Sequence, residues 1–171
     1  MTDSRPQGST TADVLRLSWQ FTGSGWAECV ISDHEREARL TASYLSNAPE
    51  DLLNAVSSLL AGQDEVRAQF EAEPTAFRWI FYRQDTTVGI RILELAHGGL
   101  HDNAGTELWS GWQPLDGLTR AVIRCFDQVA RAYGESAYRS KWGEHFPRTE
   151  LEALRRLWHP STTKNDHADE A

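Results

Sequence analysis

Apolar and polar residues alternate through much of the first third of the chain. Leu15, Leu17, Trp19 and Phe21 share one side of a period-two pattern, with Arg16, Ser18 and Gln20 on the other, which predicts a half-buried strand over 14–21. Thr22-Gly23-Ser24-Gly25 turns the chain into a second strand over 26–32, and the polar run 33–36 turns it again. A third strand over 37–45 carries Ala38, Leu40, Ala42 and Tyr44 on one face. The period then changes. Leu52, Leu53, Val56, Leu59 and Leu60 form one stripe at helical spacing, and Pro49 suits a first helical turn. Asn47 is placed to cap this helix with Glu50 as its capping-box partner, and Gly62 supplies a left-handed stop.

Alternation returns over 65–73 (Val66, Ala68, Phe70, Ala72), over 76–83 (Phe77, Trp79, Phe81), over 88–95 and, after a Gly-rich loop at 97–105, over 106–113. Leu115, Leu118, Val122, Cys125, Phe126, Val129 and Tyr133 mark a second amphipathic helix that Gly134 closes, with a further turn or two in 135–145. After Phe146-Pro147, Thr149 is placed to cap a short helix bearing Leu151, Leu154, Leu157 and Trp158, with Glu152 as its box partner. Short strands joined by tight turns favour antiparallel pairing, and strands with one apolar face need a cover. The predicted architecture is α+β: an antiparallel meander sheet of six or seven strands with two or three helices packed on one face, in the order βββ-α-ββββ-αα. The predicted organisation is a disordered segment over 1–12, a single α+β domain over 13–159 and a disordered acidic tail over 160–171.

Composition narrows the classes of function. At 171 residues, 40% hydrophobic and 25% charged, the chain is long and apolar enough for one packed domain. The formal charge of -8 disfavours a nucleic-acid partner, since phosphate neutralisation needs clustered cations, and suits a basic protein partner. The first residues offer no apolar core for a signal peptide and no run approaches membrane-spanning length, so the reading is cytoplasmic, away from membranes, with Cys29 and Cys125 reduced.

Four groups of residues are candidates for chemistry or contact. His97 and His101 stand four apart with Asp102 beside them, a metal-like set, but Gly98, Gly99 and Gly105 make a loop rather than the helix that would align two imidazoles. Trp109 and Trp112 would face opposite ways on one strand, which leaves one indole open for contact. Glu50, Asp51, Asp64 and Glu65 flank the first helix as an acidic rim, while Arg120, Arg124 and Arg131 follow one face of the second. Glu71 and Glu73 share a strand face as a carboxylate pair. No motif calls for a cofactor.

Ser43-Tyr44-Leu45-Ser46, followed by Asp51-Leu52-Leu53, Ala55-Val56, Leu59-Leu60 and Gly62, together with Glu73-Pro74, Phe77-Arg78-Trp79 and Val88 to Leu93, resembles a family of small bacterial proteins with no established activity. The resemblance spans 26–157 and implies a single small domain similar in character to the immunity proteins of bacterial toxin systems. The reading is thus a non-catalytic cytoplasmic protein-binding domain of the immunity-inhibitor type. Its contact surface is expected at Trp109, Trp112 and the long loop, or at the acidic rim. The alternatives are a metal-dependent enzyme using the His97–Asp102 loop, and a small-ligand module with Trp79 and Phe81 lining an open sheet face.

Overall fold

The computed structural model describes residues 14–159, so the disorder expected at 1–12 and 160–171 lies outside the described residues. Their order is β1 (Arg16–Gly23), β2 (Trp26–Ser32), β3 (Glu37–Ser43), α1 (Ala48–Leu60), β4 (Glu65–Glu71), β5 (Ala76–Gln84), β6 (Thr87–Leu95), β7 (Thr106–Pro114), α2 (Leu115–Trp142) and α3 (Arg148–Trp158). The protein is α+β with the expected element order. The single sheet is corrected to two: β1-β2-β3 and β4-β5-β6-β7, antiparallel throughout. The division falls at α1, whose 13 residues carry the chain roughly 20 Å before β4 begins.

Each sheet buries one face, and both faces belong to one core. In the first sheet Trp19, Cys29 and Leu40 lie in one cross-strand row and are buried, while Ser18, Val30 and Arg39 face outward. In the second, Ala68, Trp79, Ile92 and Trp109 make the matching row. Trp19 joins the layers, meeting Phe70 of β4 edge-on at 6.0 Å and touching Phe126 and Trp142 of α2 at 6.1 and 5.3 Å. Such pairs add about 0.5–1.5 kcal/mol each beyond their area.

α1 buries Leu52, Leu53, Val56 and Leu59, as its stripe predicts. Its start departs from the expected capping box: the Asn47 side chain makes no cap, and its carbonyl accepts the Asp51 N–H at 2.8 Å. Its end is as expected. Gly62 sits at φ +108, and its N–H and that of Gln63 bond back to Leu59 and Ser58. The Arg83 guanidinium also donates to the Leu59 carbonyl, a cation at a helix C-terminus.

Three further expectations change. β3 stops at Ser43, so Tyr44 is 51% exposed rather than on the buried face. α2 continues to Trp142, broken inside by Gly134 at φ 73, ψ 161. α3 begins at Arg148, after Pro147, with no side-chain cap from Thr149. β5 is also buried on both faces from Ala76 to Phe81, where alternation alone assigns a single covered face.

The core geometry gives a first test. Trp19→Ala should cost about 3–5 kcal/mol, read as a lowered urea midpoint. A loss under about 1 kcal/mol, the scale of a surface change, would show that the two sheets do not depend on this indole.

Candidate functional site

The Gly-rich loop folds back over the outer face of β4 and β5, and one buried cation holds it there. Arg78, 9% exposed, donates from Nε to Gln69, from Nη1 to the Leu100 carbonyl and to Asp102, and from Nη2 to the Gly98 carbonyl, all at 2.8–3.0 Å. Asp102 is shared with Arg67 at 2.6 Å. The hydrogen bond from Arg67 holds the Asp102 carboxyl below its ordinary value; burial opposes it, and the bond from Arg78 adds a smaller lowering. The residues of the expected metal set have other partners here. Asp102 serves two guanidinium groups, and His97 Nδ1 accepts the Gly99 N–H at 3.2 Å. Among the described residues no three acidic, imidazole or thiol groups converge as metal ligands would.

The tryptophan pair divides as its spacing predicts. Trp109 is 1% exposed in the core and Trp112 is 61% exposed on the outer face of β7. Trp79 and Phe81 are fully buried and stacked at 5.9 Å, so the open apolar face imagined for a small ligand is filled by core packing. Glu71 ends β4 and accepts from Gln69 at 2.6 Å, while Glu73 lies in the following turn, so the carboxylate pair does not share a strand. The arginine face of α2 is partly neutralised locally: Arg120 pairs with Asp116 at 3.3 Å and lies 5.7 Å over the Trp158 ring.

The acidic rim does not hold together as one surface. Asp64 and Glu65 lie beyond the C-terminal end of α1, and Glu65 pairs with Arg67 at 3.1 Å. Glu50 and Asp51 stand in the first turn, at the opposite end. There they meet two carboxylates that sequence reasoning missed. The turn between α2 and α3 and the first turn of α3 bring Glu144, His145 and Glu150 against the start of α1, and with Asn47 and Asn54 they line a groove of about 490 Å³. The sequence holds the signal only in part: Glu144 and Glu150 bracket Phe146-Pro147, but nothing local says what that turn packs on.

This groove is a site of accumulated negative charge. Burial first, and then the charges of Glu150, Asp51 and Glu144, push the Glu50 carboxyl up. Burial also raises Asp51, opposed by a hydrogen bond from the Gln69 main chain. Beneath them Tyr138 is fully buried, its ring edge-on to Phe146 at 5.3 Å, and its hydroxyl finds no hydrogen-bond partner among the described residues. Burial, and after it the charges of Glu50 and Glu150, push that hydroxyl far above the ordinary tyrosine value. None of the four carboxylates forms an ion pair with a described residue, whereas Arg39, Arg67, Arg78, Arg91, Arg120, Arg148 and Arg155 all do. Before α1, Ser46 closes a turn on the Ser43 carbonyl, and Tyr44 and Leu45 in that turn are 51% and 61% exposed.

No family model matches this sequence, and no curated protein matches it. Among solved structures, a chain of the CdiA-CT/CdiI toxin and immunity complex from Enterobacter cloacae aligns at 12% identity with a TM-score of 0.44, over 66% of this chain and 99% of that one. That score lies below the level at which a shared fold follows.

Two predictions come from this electrostatics. Arg78→Met should lower stability by about 2–3 kcal/mol, since it leaves the Gln69 side chain and two loop carbonyls without their donor and takes one of its two guanidinium partners from Asp102, and should speed amide exchange through 98–104. Unchanged exchange there would show that Arg78 does not hold the loop. The second concerns pH. Folding disfavours ionised Glu50, so its cost is absent below the ordinary 4.5 and complete above its raised folded value. Glu50→Gln should therefore raise the Tm at pH 7 and leave it nearly unchanged at pH 4. Asp102 has the opposite sign: its contribution is present above 3.8 and lost as pH falls through its lowered folded value.

Proposed function

We propose that this chain is a non-catalytic cytoplasmic protein-binding domain that receives a basic partner at the groove between α1 and α3, as an immunity-type inhibitor docks on its toxin. Membership of the small bacterial family carrying the Ser43–Ser46 and Asp51–Gly62 motif belongs to the same proposal. The observation that carries it is the set of four carboxylates, Glu50, Asp51, Glu144 and Glu150, gathered around one groove with no ion pair among the described residues. Like charges held together raise the energy of the unbound protein, and a cationic surface removes that cost on docking. The acidic balance of the whole chain extends the attraction to longer range. The metal-enzyme alternative loses support because its carboxylate is engaged by Arg67 and Arg78. Among the described residues no helix is long and apolar enough to cross a membrane.

The test compares capture of partners from a bacterial lysate by the wild-type chain and by the Glu50→Lys/Glu150→Lys double variant. The wild type should retain a basic protein at low ionic strength and release it as salt rises. The double variant should lose that protein while melting no lower than wild type. Equal capture at equal salt by the two proteins would remove the groove from the interface.

A further inference from the structure

The outer face of the second sheet carries a separate feature that shares no residue with the acidic groove. Tyr82, Gly89 and Trp112 form one transverse row across β5, β6 and β7. Gly89 leaves a bare patch of backbone, and the indole of Trp112 lies on it. A Cβ at position 89 would meet Cη2, Cζ2 and Cε2 of the ring at 3.1, 3.2 and 3.3 Å. Three ring atoms at nearly equal distance mean that the ring presents its face to the strand. The opposite face is turned to solvent, and of the seven tryptophans Trp112 is the one that is mostly exposed. Covering a glycine accounts for one side of the indole. The other side is an open π surface.

Two arginines stand beside that surface. Arg91 occupies the adjacent row and donates from Nε to Glu107 at 2.9 Å. Arg36 reaches over from the turn between β2 and β3 and donates from Nη2 to the Ser110 carbonyl at 2.6 Å. A guanidinium has five donors, so each of these bonds fixes the group in place and leaves further N–H groups unspent. With Tyr82, Gly89 and Trp112 the two arginines line a depression of about 360 Å³. Glu107 balances one of them, which leaves a local positive charge on a chain whose formal charge is -8. A neutral ring would use the indole alone. A ring that bears an anionic group uses both the indole and the guanidinium groups.

We propose that the Trp112 face, with Arg36 and Arg91, is a binding site for a planar aromatic anion, which stacks its ring on the indole and sets its phosphate or carboxylate against the guanidinium groups. Two sources share this chemistry, a nucleoside monophosphate and an aromatic carboxylic acid. Calorimetric titration of the full chain with adenosine 5′-monophosphate and with indole-3-acetate distinguishes them, with adenosine and indole as the uncharged counterparts.

The expected result is saturable binding of one anion or of both, with the uncharged counterpart at least about tenfold weaker, the scale of one lost charged hydrogen bond. Binding of one anion alone names the source, and binding of both shows that the site reads only ring and charge. Arg36→Gln should weaken binding by about tenfold while leaving the Tm unchanged, and Trp112→Leu should abolish saturation. If Trp112→Leu melts early, the Arg36→Gln result decides. Absence of saturable binding by either anion overturns the proposal, and so does equal binding of the uncharged counterparts or affinity unaffected by Arg36→Gln. Failure here leaves the partner capture at the acidic groove untouched, since the two sites have no residue in common.

Discussion

A three-stranded antiparallel sheet with one apolar face cannot stand alone in water, and the rest of this fold answers that constraint. The inner face of β1-β2-β3 is closed by α2 and by the inner face of the second sheet. Trp19 is where the three meet, in ring contact with Phe70, Phe126 and Trp142. Once that face is covered, polar residues are left facing solvent on β1 to β3, and the termini of α1 and α3 are pushed to the margin where the acidic groove forms. Both cysteines fall inside the same core. Burial pushes the Cys125 thiol up to about 12 and Cys29 well above its ordinary value, which leaves two inert thiols rather than nucleophiles.

Local periodicity made the elements legible, and the parity of strand positions carried further than expected. Trp109 and Trp112 stand three positions apart, an odd spacing that places one in the core and the other in solvent. What the pattern could not carry was partnership between distant segments. Seven short strands read alike whether they form one sheet or two, and the division depends on where α1 delivers β4. The second buried face of β5 was invisible for the same reason. It is covered by a loop some twenty residues downstream, through Arg78, a residue whose charge marks it on sequence alone as solvent-facing.

The candidate site divides along the same line. Glu50 and Asp51 were recognisable at the start of a helix, where acidic residues are common for reasons of the helix dipole. Their companions lie nearly a hundred residues away, Glu144 in a turn with no periodicity and Glu150 in the first turn of α3. Asp64 and Glu65 seemed to extend the rim because they flank the same helix, yet a helix of thirteen residues separates its ends. Adjacency in sequence stood in for adjacency in space, and here the two diverge. The Arg67–Asp102–Arg78 cluster holds a loop in place, while Glu50, Asp51, Glu144 and Glu150 gather in one depression with no ion pair among the described residues.

The break at Gly134 has a consequence for that depression. Its φ and ψ of 73° and 161° belong to a region that essentially only glycine occupies. Beyond it the chain swings back, so that Tyr138 and Trp142 close over Phe21 and the Lys141 carbonyl receives the Gly25 N–H. Glu144 and α3 ride on that arm. One wall of the cleft is thus built on α1 and the other hangs from a joint ten residues before it, so its width and its lining are set at different places in the chain. Drift in the joint could retune which partners fit while every carboxylate stays where it is.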